Sequence, residues 1–157
     1  MKPIYPCLWH NDTAEEAAAL YTKTFPNSRV TKTTYYGKGA PRPEGSVMTI
    51  HMELNGHQFM ILNGGPWESY TGAISLVAPC DTQEEIDRVW DALTADGGQA
   101  VQCGWLKDKY GVSWQVVPSM FDKWMTGDPE RSARAMQALW SMVKLDIAKI
   151  QAAYDGQ

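Results

Sequence analysis

The chain has 157 residues, 44% of them hydrophobic and 20% charged, with a formal net charge of −4. That length suits one domain with a real core, and an acidic balance with no basic run argues against a nucleic-acid surface. No stretch approaches the roughly 18 apolar residues of a membrane-spanning helix, and the N-terminus, with Pro3 and Pro6, has no apolar leader. Three cysteines (Cys7, Cys80, Cys103) are an odd number without CxxC spacing. They fit reduced thiols in a cytoplasm better than a disulfide framework.

In chain order, Ile4–Trp9 reads as a first strand. Asp12 or Thr13 then caps a helix with Glu15 and Glu16 in its first turn, where the helix dipole favours acid. Phe25-Pro26-Asn27 ends it, and Ser28–Tyr36 is rich in β-branched and aromatic residues. Gly37–Gly45 is a loop by composition. Ser46–Leu54 and His57–Leu62 flank Asn55-Gly56, a strong hairpin signal. Ile74–Ala78 reads as the next strand. Asp81 or Thr82 caps a helix to about Ala95, with Ile86, Val89, Trp90 and Leu93 as its apolar stripe. Gln99–Trp105, Leu106–Asp108 and Val112–Val117 supply shorter strands.

The tail has a different pattern. Met120, Phe121 and Trp124 suggest a short amphipathic helix, and Asp128-Pro129-Glu130 starts another. Met136, Trp140, Val143, Ile147, Ile150 and Tyr154 then follow at spacings of four and three. They form either one continuous seam or two helices, the second capped by Asp146. The seam is surplus to the rest of the chain, which makes a homodimer contact an expectation beside packing within the chain.

Residues 11–21 (NDTAEEAAALY) and 80–90 (CDTQEEIDRVW) repeat an Asp-Thr pair, two glutamates and an aromatic at equal spacing. Each copy follows an apolar run and precedes a turn and another strand. The chain thus contains one strand–helix–strands unit twice, about 3–66 and about 72–118, followed by C-terminal helices over about 119–154. Duplicated units of this kind fuse into one sheet system, so a single α+β domain is expected.

Motifs for specific chemistry are sparse. Cys7 and His10 lack the second ligand pair a zinc site needs. His51, Glu53 and His57 flank one hairpin and read as its solvated edge. Cys103, beside Trp105, has only Lys107 and Lys109 nearby to lower its pKa, and reads as structural. Gly37-x-Gly39 lacks the third glycine and the helix of a dinucleotide fingerprint. No strand–glycine-loop–helix unit suggests an S-adenosylmethionine site.

The segments PCLWHNDTAEEAAALYTKTFPNS (6–28), LNGHQFMILNGGP (54–66), DTQEEIDRVWDAL (81–93) and QCGWLKDKYGVSWQVVP (102–118) carry a resemblance, as does the tail over 128–150. They resemble the PhnB-like family, also catalogued as 3-demethylubiquinone-9 3-methyltransferase. That family lies in the vicinal oxygen chelate superfamily with glyoxalase I, bleomycin-resistance proteins and extradiol dioxygenases. The resemblance implies two βαβββ modules forming a cupped mixed sheet, with helices on the convex side. Metal-using relatives place ligands on the first and last strands of each module. Aligning Asp108 and Gly111 with the last-strand pattern puts Gln115 in one slot and, through Gly56, Met60 in another. Counting back seven from Asp12 and Asp81 gives Tyr5 and Ile74. Thioether and hydrocarbon at two of four places cannot hold a hard divalent ion, so no metal and no cofactor are expected.

The expected cup lining is Tyr5, Cys7 and Trp9 from the first strand and Ser113, Gln115 and Val117 from the last. Met60 and Ile74 lie between, and Trp105 and the Gly37–Gly45 loop form a rim or lid. Mostly apolar with a few polar groups, it suits a small apolar or aromatic ligand. An enzyme of the superfamily's isomerase, lyase or dioxygenase types is the alternative, or a structural dimer with a vestigial pocket. The residues name neither ligand nor reaction.

Overall fold

The computed structural model describes residues 1–157 and divides into two compact units, Met1–Ser69 and Tyr70–Gln157. The first holds β1 (Cys7–His10), α1 (Ala14–Thr24), β2 (Arg29–Tyr35), β3 (Val47–Leu54) and β4 (His57–Asn63). Its four strands lie in the order β1-β4-β3-β2, with β1 parallel to β4 and the remaining pairs antiparallel. Asn55 and Gly56, with φ of +46° and +84°, turn β3 into β4. Positive φ at both central residues matches the twist of a tight hairpin, which is why Asn-Gly marks it so well.

The second unit repeats that connectivity with β5 (Leu76–Cys80), α2 (Gln83–Thr94), β6 (Gln99–Ala100), β7 (Trp105–Lys107) and β8 (Ser113–Pro118). Its order is β5-β8-β7-β6, with β5 parallel to β8. Three helices follow in the same unit: α3 (Phe121–Met125), α4 (Pro129–Trp140) and α5 (Ile147–Asp155). The duplicated α+β architecture is as expected, in the form of two four-stranded mixed sheets.

Both leading strands start later than their apolar runs suggest. β1 begins at Cys7 rather than Ile4 because Pro6 has no N–H to give. Its carbonyl still accepts from Met60 N at 3.0 Å. β5 begins at Leu76 rather than Ile74 and includes Pro79, tolerable because β5 is an edge strand paired on one side only.

The helix starts also differ. Thr82 accepts from Glu85 N, while Glu85 Oε2 reaches back past the cap to accept from Asp81 N, a variant of the capping box. Thr13 stands at the first helix's cap position, but its hydroxyl is bonded to His10 Nδ1 at 2.8 Å. Asn63 Oδ1, at the end of β4, accepts from Ala14 N instead.

Of the two tail readings, the divided one holds. Asp146 caps α5, accepting from Lys149 N. The chain leaves the helix there because Met142 and Val143 carbonyls accept from Cys103 N and Gly104 N, each at 2.8 Å. Gln83 of α2 clamps the same segment, donating to Leu145 O and accepting from Ile147 N. Trp124, Ala135, Leu139, Leu145, Ile150 and Tyr154 form the tail's core, with Met136 and Ile147 packed against it. Trp140 and Val143 of the expected seam stay exposed.

His10 gives the fold a pH dependence. It is 3% exposed, and burial pulls its imidazole down to about 4. The unfolded chain, titrating near 6.5, then binds the proton more readily. Stability should therefore be full above that pH and fall as pH drops toward 4, by roughly 3 kcal/mol from this group. Denaturant unfolding at pH 7 and 4.5 should show a smaller loss for His10→Gln than for the parent chain. Equal losses would contradict the assignment.

Candidate functional site

In the first unit, strand alternation sends Leu8, Ile50, Met52, Leu54 and Ile61 to one buried face, which α1 covers with Ala14, Ala17, Ala18 and Tyr21. The other face carries the row Cys7–Met60–His51–Lys32, whose members are direct partners across neighbouring strands. The next row on that face is Trp9–Leu62–Thr49–Thr34, with Thr34 and Thr49 hydroxyls 2.6 Å apart. Tyr5 precedes the strand but reaches the face, its ring edge-on to His51 with centroids 6.4 Å apart. Trp9 Nε1 donates to Gly65 O at 2.8 Å. Arg42 pairs with Asp12, which ties the Gly37–Gly45 loop to the start of α1.

In the second unit, Trp114, Val116 and Leu106 are buried on the side of α2, beside Ile86, Val89 and Leu93. Asp108 sets this register. It is buried, its Oδ1 accepts from Tyr110 N and Val112 N, and its Oδ2 accepts from Trp114 Nε1 at 3.0 Å. The other face carries Val77, Gln115 and Trp105 side by side on β5, β8 and β7. Val101, whose N donates to Trp105 O at 2.8 Å, extends the row. Gln115 Nε2 donates to Ser75 Oγ at 2.8 Å. Gln115 and Trp105 are half-buried, whereas Val77 and Val101 are exposed.

Several expected lining residues thus find different surroundings. Ile74 lies in a bend before β5 and is 80% exposed, so Val77 takes its place beside Gln115. Likewise Cys7, not Tyr5, stands beside Met60. Counting back from the capping aspartates overshoots in both units because the pairing with β4 and β8, not the distance from the helix cap, decides which residue stands beside Met60 or Gln115. Ser113 is buried at the start of β8. Val117 shares Gln115's face but packs with Cys103 against the tail core, which covers that end of the strand. The sequence does not single out Ser75 or Val77, whose partner Gln115 lies far along the chain and leaves no local pattern, nor Val101, which only its bond to Trp105 O adds to the row.

Neither row fits a hard divalent ion: the first offers a thiol, a thioether and an imidazole, the second one amide oxygen. Glu53 shares the first face but is paired with Arg29, and no three His, Cys, Asp or Glu side chains gather where they could hold a metal. Mg²⁺ or Mn²⁺ takes about six oxygen or nitrogen donors, and Zn²⁺ commonly four. Nor is a nucleophilic thiol indicated at Cys7 or Cys80. Burial raises both, and the Glu85 and Asp81 carboxylates help push Cys80 up to about 11.

The family model described as 3-demethylubiquinone-9 3-methyltransferase matches residues 2–117. The chain belongs to this family. A PhnB protein from Bacillus cereus is 35% identical, with a TM-score of 0.67 over 74% of this chain and 98% of its own. Protein PA1353 from Pseudomonas aeruginosa shares the fold at 22% identity and a TM-score of 0.61, over 75% of this chain and 97% of its own. The fosfomycin resistance protein FosX from Listeria monocytogenes, complexed with Mn(II) and sulfate, shares it at 13% identity. Its TM-score is 0.50, over 86% of this chain and 97% of its own. No curated protein matches the chain. The doubled module is the vicinal oxygen chelate fold expected of PhnB-like proteins. The family match ends at Val117, so α3–α5, which the sequence resemblance included, lie beyond it.

Proposed function

We propose that this PhnB-like protein binds a small apolar or aromatic molecule, without a metal ion, on the sheet faces that α1 and α2 leave uncovered. The row Val77–Gln115–Trp105–Val101 carries the reading: three apolar side chains surround one amide, the composition of a small-molecule site rather than an ion site. Purified protein should hold no stoichiometric Zn²⁺, Ni²⁺, Fe²⁺ or Mg²⁺ by elemental analysis, and should bind members of an aromatic fragment screen. One equivalent of metal that disappears in Gln115→Ala would refute the metal-free reading.

The methyl transfer named in the family's description finds no support in these residues. The strand-to-helix connections are Asn11-Asp12-Thr13 and Asp81-Thr82, and neither contains the glycine-rich turn that cradles such a cofactor.

The same reading includes a homodimer in a reducing, cytoplasmic setting. Three free cysteines support the compartment. Trp140, 62% exposed beside the exposed Val143, supports a contact between tails. Sedimentation should find a dimer that Trp140→Ser converts to monomer without a large change in melting temperature. A monomeric parent chain would refute it. No helix is long and apolar enough to cross a membrane.

A further inference from the structure

Gln115 and Trp105 are direct partners across β8 and β7, so their side chains stand adjacent on one face, with Cβ atoms about 5 Å apart. The amide is committed on one side only. Nε2 donates to Ser75 Oγ at 2.8 Å, and that is the one hydrogen bond the side chain makes. Oε1, on this half-buried side chain, has no donor from the protein. A molecule stacked on the Trp105 indole lies beside its cross-strand partner Gln115 and would compete with water for that oxygen. A ring without a donor would leave it desolvated and unpaired, a cost that sites built around one polar group turn into selectivity. Lys107 stands two residues along β7 on Trp105's face, opposite Ser113. Its charge disfavours a cationic donor such as an ammonium group.

We infer that the ligand is a planar aromatic carrying a neutral hydroxyl, a phenol in class, stacked on Trp105 with its O–H donated to Gln115 Oε1. The inference rests on the binding reading above and names the ligand class for the same face. Phenol and anisole form the matched test, because they differ only in a methyl group that removes the donor. In ligand-observed NMR titrations of the full chain, phenol should bind at least about tenfold tighter than anisole. Gln115→Met should bring the two within about twofold, while Trp105→Ala should weaken both. The comparison on the parent chain stands even if a variant fails to fold. Equal affinity for phenol and anisole would overturn the donor requirement and leave aromatic binding intact. Absence of saturable binding by either probe, and by the fragment screen, would overturn the binding reading itself and this inference with it.

Discussion

Trp114→Ala is expected to destabilise the protein by about 3–5 kcal/mol, as truncating a large buried aromatic generally does. That is a substantial part of the roughly 5–15 kcal/mol that holds a domain folded. Trp114 is 3% exposed on the side of α2, and its Nε1 donates to the buried Asp108 carboxylate, which also accepts from Tyr110 N and Val112 N. The substitution opens a cavity and leaves Asp108 Oδ2 short of that donor. Its neighbour behaves oppositely. Gln115→Ala removes a half-buried amide with one hydrogen bond, to Ser75, and should cost at most about 1 kcal/mol. Denaturant unfolding of both variants measures the contrast. A stable Trp114→Ala beside a badly destabilised Gln115→Ala would mean that β8 presents its faces the other way round, and the proposed site would go with it.

Gly104→Ala should be nearly as damaging, by about 3–5 kcal/mol from backbone strain and overpacking combined. Gly104 has φ of +79°, and a Cβ there would lie 2.8 Å from Val116 O and 2.9 Å from Leu145 Cδ1. One obstacle is backbone of β8 and the other is core of the tail, so neither can swing aside. The position is where β8 and the tail segment meet: Gly104 O accepts from Val116 N, and Gly104 N donates to Val143 O. Gly39→Ala is the control. It has nearly the same φ, +80°, with nothing within 4 Å of the added carbon. It should cost only about 1 kcal/mol, the conformational part alone. If the two variants melt together, the tail does not press on β8 at this point.

Much of the architecture is legible in the residues because it is written at short range. The acidic first turns, the Asn55-Gly56 hairpin and the alternation of Ser113, Trp114, Gln115 and Val116 depend on residues within about four positions of one another, and the Asp-Thr repeat shows the same local pattern twice. Those same spacings place Gln115 opposite in face to Trp114, the part of the site that the chain discloses directly.

The tertiary structure decided what depends on partners far along the chain. Thr13 has the residue type and position of a helix cap, yet His10 takes its hydroxyl and Asn63, 49 residues on, caps Ala14. The starts of β1 and β5 depend on which carbonyls and amides β4 and β8 offer, so a count from the helix caps lands on Tyr5 and Ile74 instead of Cys7 and Val77. The tail's apolar seam breaks because Cys103 and Gly104 take the carbonyls of Met142 and Val143. That docking turns Val117 from a lining residue into a tail contact. Periodicity says which side of an element is apolar. Only register and long-range hydrogen bonding say what that side meets.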